Sequence, residues 1–489
     1  VTVAARIVGL NRGIRNPAAI SGLQTWWEAD NVSVASAQPN TISGLQLWLK
    51  ADALVLNDAD PVATWTDSSG NGYNATQATG AKQPLYKTAI VNSKPVVRFD
   101  GINDVLQILG AGYLACTNNI GAVTLFVVAK ATASGVGQSL VEISTNVAAT
   151  PRLKLSIIAA NKWEIDARRL DADSVNVLTA NSTLPSAWEC VTARRDYTNA
   201  RGHLYLQGGT NNESTGIGTT GSTSATNSAD AFIGGGSTTP SAPYSGDVAE
   251  IVVYNRYLTD IERMSVEKYL CDKYGLTAIG CPYVDGDAVN VWIDSSGNDY
   301  GARAVPVANR PTYKTNIVNG KPVVRFDGTN DNLKTLLFAA ALTQPMTYVV
   351  VARETDLSVD TNNFLDNISG ASTKFSGTYL THPTNPSMYL IDSTTGIYGG
   401  SNADTNWHVY TVNWDATDIA RKDGVTQVSG NTGSGGATGI SIGATNGASK
   451  FMHGDFAAAL VYNRALTNVE LNLIGRYYAA KYGITWTTV

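Results

Sequence analysis

The sequence predicts an all-β chain of two tandem modules, each closed by one short C-terminal helix, behind an extended N-terminal arm. Three observations predict it. The first is an internal repeat. Ile90-Val-Asn-Ser-Lys-Pro-Val-Val-Arg-Phe-Asp-Gly-Ile-Asn-Asp-Val-Leu106 returns as Ile317-Val-Asn-Gly-Lys-Pro-Val-Val-Arg-Phe-Asp-Gly-Thr-Asn-Asp-Asn-Leu333, 227 positions later. Trp65-Thr-Asp-Ser-Ser-Gly-Asn-Gly-Tyr-Asn-Ala75 returns as Trp292-Ile-Asp-Ser-Ser-Gly-Asn-Asp-Tyr-Gly-Ala302, and Gly246-Asp-Val-Ala-Glu-Ile-Val-Val-Tyr-Asn-Arg256 as Gly454-Asp-Phe-Ala-Ala-Ala-Leu-Val-Tyr-Asn-Arg464. A period this long marks a domain duplication rather than a solenoid. The second is composition: 43% hydrophobic but only 15% charged, with 46 glycines, the profile of a turn-rich β protein with a weakly charged surface. The third is periodicity. Thr124-Leu-Phe-Val-Val-Ala129 and Thr347-Tyr-Val-Val-Val-Ala352 are continuous apolar runs, as expected of central strands covered on both faces.

Charge and length exclude several classes. A formal charge of −5 gives no reason to expect nucleic acid as a partner. No apolar run approaches the roughly 18 residues that suggest a membrane span. Val1-Thr-Val-Ala-Ala-Arg6 has neither an apolar core nor a cleavage site, so no signal peptide is expected; an already processed secreted chain reads the same way. Four cysteines do not make a disulfide framework in a chain of 489 residues. Cys271 and Cys281 are expected as free thiols, with a bond across the module junction as the alternative.

Residues 1–19 carry Arg6, Arg12 and Arg15 among small and apolar residues and have no repeat partner, so they are expected to form a docking arm. An arm without a core gains order only by lying on something; a floppy tail is the alternative. Next, Ile20-Ser-Gly-Leu-Gln-Thr-Trp-Trp-Glu-Ala-Asp30 resembles Ile42-Ser-Gly-Leu-Gln-Leu-Trp-Leu-Lys-Ala-Asp52, 22 residues on. The later copy opens the first module, Trp48 lying 17 residues before Trp65. The matching place before Trp292 is Gly275, at the end of a predicted helix. The second module therefore lacks its first strand, and residues 20–31, with Trp26 and Trp27, are expected to supply it. Within one chain this inserts the first module into the second; between chains it links subunits by strand exchange. The intrachain route is the expectation, and a degenerate duplication without structural role is the bland alternative. The expected boundaries are 1–19 for the arm, 20–31 for the spare strand, 42–276 for the first module and 277–489 for the second.

Val96-Val-Arg-Phe99 and Val323-Val-Arg-Phe326 alternate and end in Asp-Gly, which reads as a hairpin turn. Trp188-Glu-Cys-Val-Thr-Ala193 matches Trp407-His-Val-Tyr-Thr-Val412, and residues 208–229 read as a surface loop. Thr259-Asp-Ile-Glu262 and Thr467-Asn-Val-Glu470 are capping boxes that open helices, which Gly275 and Gly483 then stop.

Trp-x-Asp-x-Ser-Gly-Asn, Val-Arg-Phe-Asp-Gly-x-Asn-Asp and Ala-Glu-Ile-Val-Val-Tyr-Asn-Arg with its short helix together resemble the LamG-like, concanavalin A-like jelly-roll family over about 45–276 and 284–484. The resemblance implies two tandem antiparallel jelly-roll sandwiches that bind glycans or proteins, sometimes through Ca²⁺. Such modules occur in phage virion proteins and in secreted bacterial proteins.

Several motifs invite chemistry. Glu164 and Asp166 resemble the acidic pair of glycosidases sharing this fold; residues two apart on a strand lie about 6.6 Å apart on one face. Retaining enzymes need carboxyls about 5.5 Å apart, but the third acid is missing, and Arg168 stands near its place. Module two offers only Met388-Tyr-Leu-Ile-Asp392 in this region. Gly216-Ile-Gly-Thr-Thr-Gly221 lacks the helix a dinucleotide motif needs, and Gly439-Ile-Ser-Ile-Gly443 lacks the strand-turn-helix of a nucleophile elbow. His203, His382, His408 and His453 show no metal spacing. For Ca²⁺, Asp67, Asp100, Asn103 and Asp104, with Asp294, Asp327, Asn330 and Asp331, offer oxygen ligands; the same residue types serve tight turns by themselves. Tyr73, Tyr86, Tyr300 and Tyr313 are the candidates for stacking on sugar faces, with packing as the alternative.

These observations point to a non-enzymatic structural protein of a phage virion: a head decoration, fibre or tail appendage displaying two modules for surface adhesion or glycan binding. Its expected partners are other virion proteins, or a second copy, reached through the arm (Arg6, Arg12, Arg15) and the Trp26–Trp27 segment, together with a cell-surface glycan. Membrane insertion is not expected. The expected location is the virion surface. The alternatives are an extracellular bacterial adhesin and, more remotely, a glycoside hydrolase.

Overall fold

The computed structural model describes residues 17–31, 35–109, 117–132, 135–145, 148–170, 172–184, 187–207, 209–215, 220–223, 230–236, 242–277, 283–304, 307–358, 361–368, 373–379, 387–392, 395–400, 404–446 and 449–489. Arg6, Arg12, Arg15, His382 and Cys281 lie outside them. The chain divides into two compact units, one within Val34–Cys281 and the other drawn from both Val1–Ser33 and Pro282–Val489. The described residues are nearly all β, with two α-helices.

In the first unit one sheet runs Gly209–Thr215, Arg201–Leu206, Glu189–Asp196, Ala122–Ala131, Ser245–Tyr254, Lys94–Asp100, Leu85–Val91, with Leu45–Lys50 also paired to Ser245–Tyr254. The facing sheet runs Asn176–Thr179, Lys162–Ala167, Ala148–Ile158, Gln138–Thr145, Asp230–Ile233, Leu106–Ile108, Ala75–Thr76, Thr64–Trp65. All these pairings are antiparallel. Side chains alternate across a strand, so each central strand of the first sheet feeds two cores. Leu125, Val127, Val191 and Ile251 meet Leu140, Leu155, Trp163 and Ile233 between the sheets. Phe126, Val128 and Val252 on the other face pack under Val266, Leu270 and Tyr274 of the helix Asp260–Tyr274. That is why Thr124–Ala129 is apolar without a break.

Both helices begin as predicted. Thr259 and Thr467 accept from the backbone N–H of Glu262 and Glu470, whose carboxylates reach back to the cap. Gly275 and Gly483 end them at φ 66° and 70°, the left-handed region that costs a glycine least.

The hairpin prediction is corrected. Asp100-Gly101 does not reverse the chain within one sheet; it carries the chain across to Leu106–Ile108 in the facing sheet. The reversal lies earlier, at Asn92-Ser93, both at positive φ, where Val91 pairs with Lys94. Asn319-Gly320 repeats it between Val318 and Lys321. Positive φ at both central residues twists a two-residue turn to match its strands, and the Asp-Gly signal is spent on the sheet crossover.

The second unit repeats this plan: Thr312–Val318, Lys321–Asp327, His453–Tyr462, Met346–Glu354, His408–Trp414, Asp418–Lys422 and Val425–Gly430 form the helix-covered sheet. Its leading strand is Leu23–Glu28, antiparallel to His453–Tyr462 with Trp26 opposite Leu460 and Trp27 opposite Ala459. Leu45–Lys50 occupies the matching place in the first unit, Trp48 opposite Val252 and Leu49 opposite Ile251. Trp27, fully buried, packs in the inter-sheet core and donates through Nε1 to the Tyr300 carbonyl at 3.1 Å. Trp26 faces the other way, into the layer with Ile474 and Tyr478 of the helix Asn468–Tyr482. Neither ring is available to a partner; both serve the unit they belong to.

Charge distinguishes the two leading strands. In the first unit Lys273 of the helix binds Glu250 at 2.7 Å and Asp52 at 2.9 Å, and Glu250 lies opposite Lys50. In the second, Lys481 binds Glu28 at 2.8 Å and Asp30 at 2.9 Å, and Glu28 lies opposite Ala458. The buried carboxylate has moved from the closing strand to the leading strand. If the two leading strands changed places, Glu28 would face Glu250, while Lys50 would bring a second cation to Lys481 with no acid at position 458. Like charges desolvated together are costly, so each strand is coded for its own module.

Candidate functional site

A cleft of about 560 Å³ opens in the first unit where Lys94–Asp100, the end of Ala122–Ala131 and the start of Ser245–Tyr254 meet. Its lining combines the exposed Leu85 and the nearly covered Phe99 with Gln83, Arg98, Asp104, Lys130, Ser245 and Asp247. Arg98 and Asp247, 149 positions apart, form a bidentate pair at 2.6 and 2.8 Å, so this cation and anion hold each other in place. Gly101 at φ 73° lets the rim close over Ser245: a Cβ there would stand 2.6 Å from the serine Cβ.

Asp104 is 5% exposed. Its Oδ2 accepts from the Asp100 N–H at 2.9 Å, and its other oxygen takes no hydrogen bond among the described residues. Burial raises its carboxyl to about 6; the Asp100 N–H opposes the rise and the Asp100 charge adds to it. In the second unit Asp331 is held by the Asp327 N–H at 2.9 Å, and burial with the Asp327 charge likewise raises it to about 6. A carboxyl raised by folding binds protons more tightly in the native state. Its stability contribution is full below the ordinary aspartate pKa of about 4 and is lost as pH rises through 6. Thermal melts of Asp104→Asn and Asp331→Asn should therefore show a flatter stability profile between pH 4 and 6.5 than the parent. An unchanged profile would contradict this placement of the carboxyls.

At the corresponding edge of the second unit Arg325 and Arg353, in the places of Arg98 and Lys130, both bind the buried Asp455, Arg325 at 2.7 and 3.0 Å and Arg353 at 2.8 Å, with His453 where the first unit has Ser245.

The calcium candidates are distributed otherwise than the sequence suggests. Asp67 accepts from the N–H groups of Trp48, Ser69 and Tyr73 and from the Ser69 hydroxyl, at 2.7–3.0 Å. Asp294 does the same for Trp26, Ser296 and Tyr300 at 2.8–2.9 Å. Asp100 Oδ1 takes the N–H groups of Ile102, Asn103 and Asp104, and Asp327 Oδ1 those of Thr329, Asn330 and Asp331. An oxygen ringed by N–H donors sits in positive potential, the opposite of what a cation needs, so these four aspartates serve turns. Asp67 and Asp294 do more: each fastens its module's leading strand by its backbone. Among the described residues no group of three His, Cys, Asp or Glu is arranged to hold a metal ion.

The stacking tyrosines are corrected too. Tyr86, Tyr300 and Tyr313 are 6–9% exposed, packed against module cores, and a covered ring offers no face to a sugar. Tyr73 alone of the four is half-buried. Glu164 accepts from the Thr179 hydroxyl at 2.5 Å and Asp166 pairs with Lys154 at 2.9 Å, so both acids of the glycosidase-like pair are engaged by neighbouring strands.

Sequence reasoning passed over the buried acids. Glu189, whose Oε2 accepts from Trp163 Nε1 at 2.6 Å, is raised by burial to about 7. Glu354 is raised by burial and by the Asp404 charge to about 8. At the position matching Glu189, His408 is flanked by Asp423 at 2.6 Å and Asp404 at 2.9 Å; burial lowers its pKa, but the two carboxylates outweigh that and raise it. The signal that could have found them is a charged residue at one end of a largely apolar strand, the first residue for Glu189 and the last for Glu354.

Residues 100–262 match the model of the laminin G-type family described as the concanavalin A-like lectin/glucanases superfamily. No curated protein matches the chain. Among solved structures, the CBM40 module of the Ruminococcus gnavus IT-sialidase bound to α2,3-sialyllactose is 17% identical. It matches over 36% of this chain and 95% of its own, with a TM-score of 0.30. The Trypanosoma rangeli sialidase with 2,3-difluorosialic acid is 16% identical over 51% of this chain and 38% of its own, with a TM-score of 0.35. The chain thus spans little more than a third of that sialidase. Two facing antiparallel sheets around one core, with a helix on the outer face, make the first unit an all-β jelly-roll sandwich, and its segment 100–262 is similar to the concanavalin A-like lectin/glucanase superfamily.

Proposed function

We propose that the chain is a non-enzymatic binding protein of a virion surface, displaying two jelly-roll modules for adhesion, and that the first module's cleft takes a neutral, hydroxyl-rich glycan. The observation that carries the glycan reading is Asp104, a nearly buried carboxylate with one oxygen uncommitted, lining the cleft beside Leu85, Gln83 and Lys130. A sugar presents hydroxyl donors to such an oxygen, hydroxyl acceptors to Lys130 and Gln83, and C–H groups to the exposed Leu85. The superfamily's description as lectins and glucanases supports carbohydrate as the ligand class. The engagement of Glu164 and Asp166 by Thr179 and Lys154 favours binding over hydrolysis.

The virion placement draws support from the order of the chain, in which the first module lies in sequence between the second module's leading strand and the rest of it. An extracellular bacterial adhesin is the second reading, favoured by the same cleft. Mass analysis of purified virions separates the two.

A glycan array probed with the full chain tests the binding. Asp104→Asn should weaken the captured glycan at least tenfold, the scale of one charge-assisted hydrogen bond of about 1.5–3 kcal/mol. Because N–H donors occupy the oxygens of Asp67, Asp100, Asp294 and Asp327, EDTA should leave binding unchanged. Equal binding by parent and Asp104→Asn would sink the cleft as the site.

A further inference from the structure

Cys190 and Cys271 are both fully buried, one on the strand Glu189–Asp196 and the other on the helix that covers it. They share the core layer between helix and sheet as free thiols, and the Cys271 thiol together with burial pushes the Cys190 thiol well above its ordinary range. Cys271 was expected either free or bonded to Cys281; its neighbour is Cys190, 81 positions upstream. The duplication adds an independent observation. The strand position matching Cys190 is Val409 and the helix position matching Cys271 is Ala479. Both members of the pair differ together between the modules: two thiols in one, two inert aliphatic residues in the other. Two buried cysteines serving only to fill space have no reason to occur as a facing pair in one copy and be absent from both positions of the other.

We propose that Cys190 and Cys271 are a disulfide-forming pair that fastens the first module's helix to its sheet. The proposal goes beyond glycan binding and does not depend on it. The chemistry is thiol–disulfide exchange with a small disulfide such as oxidised glutathione. One cysteine thiolate attacks the small disulfide, forming a mixed disulfide and releasing one thiol. The second cysteine then attacks the protein sulfur of that bond, releasing the other thiol. Two protein thiols and one small disulfide become one protein disulfide and two small thiols. With both sulfurs sealed in the native core, exchange takes place as the chain folds, before the helix settles. The bond closes a long loop, and long closed loops lose the most unfolded-state entropy. The second module, with Val409 and Ala479, has no counterpart.

The test refolds the full chain with oxidised glutathione or with excess reductant, then reads intact mass, the disulfide map and the melting of each module. The expected results are a mass loss of about 2 Da, a Cys190–Cys271 linked peptide and a first transition several degrees higher after oxidative refolding, with the second transition unmoved. Cys190→Val with Cys271→Ala installs the second module's own pair, which keeps the layer packed; it should fold and lose both the mass change and the shift. Recovery of Cys190 and Cys271 as free thiols after oxidative refolding would overturn the proposal. So would linkage of either to Cys116 or Cys281, or an equal oxidative shift in the double variant.

Discussion

Removing residues 1–33 should unfold the second module and leave the first intact, so that a chain with two thermal transitions shows one. Leu23–Glu28 brings Trp27 into the inter-sheet core and Trp26 under the helix, both at 6% exposure or less. Truncating one buried tryptophan costs about 3–5 kcal/mol. Losing the strand removes both, breaks the ladder along His453–Tyr462 and strips Lys481 of its two carboxylate partners. That total exceeds or matches the roughly 5–15 kcal/mol by which domains are stable. The first module keeps its own strand, Leu45–Lys50, and with it Trp48 and Asp52. Calorimetry of the truncated chain reads the outcome directly. Two transitions at the parent temperatures would show that the leading segment is dispensable.

Asp294→Ala should lower the second transition by roughly 6–12 °C while sparing the first, and Asp67→Ala should do the reverse. Asp294 is 5% exposed and accepts four hydrogen bonds, among them the Trp26 N–H that fixes the leading strand's register. Hydrogen bonds to a charged group contribute about 1.5–3 kcal/mol each, and alanine leaves buried donors unpaired. A loss of about 3 kcal/mol shifts a module of this size by about 2–4 °C per kcal/mol. EDTA should reproduce none of it. A calcium site at these aspartates would instead show a parent protein destabilised by chelator as much as by the substitution.

The duplication made most of the architecture legible. Because one copy opens with Ile42–Asp52 and the other has only Gly275 at that place, an absence in one repeat pointed to a spare in the chain's lead. The capping boxes were legible because their chemistry is local: Thr259 and Glu262 are three residues apart and need nothing else. What resisted reading was chemistry assembled by the fold. Asp-Gly at 100–101 signals a hairpin only where the next strand stays in the same sheet, and here it crosses. Aspartate and asparagine in turns read alike whether they face a cation or an N–H, and only the backbone N–H groups that the fold turns toward Asp67, Asp100, Asp294 and Asp327 separate the cases. The cleft needs Arg98 and Asp247 together, and the cysteine pair needs residues 190 and 271 on facing elements. Tyrosines at strand starts look exposed in sequence, yet Tyr86 and Tyr313 turn inward because the strands that carry them have one face on the core.

The charge pattern at the leading strands supports the same account from the side of specificity. Glu28 and Lys50 hold matching places yet carry opposite signs, Glu28 complementary to Lys481 of its module's helix and Lys50 to Glu250 of its module's closing strand.

A peptide of residues 17–31 added to a chain of residues 34–489 tests the account most directly. The higher-order question is whether a strand lying before the first module is a working part of the second. With the peptide the missing calorimetric transition should return, saturably, and a peptide carrying Trp27→Ala should fail to restore it. Were the transition present before any peptide is added, or were it to stay absent at saturating peptide, the second module would be complete by other means and the account would be wrong.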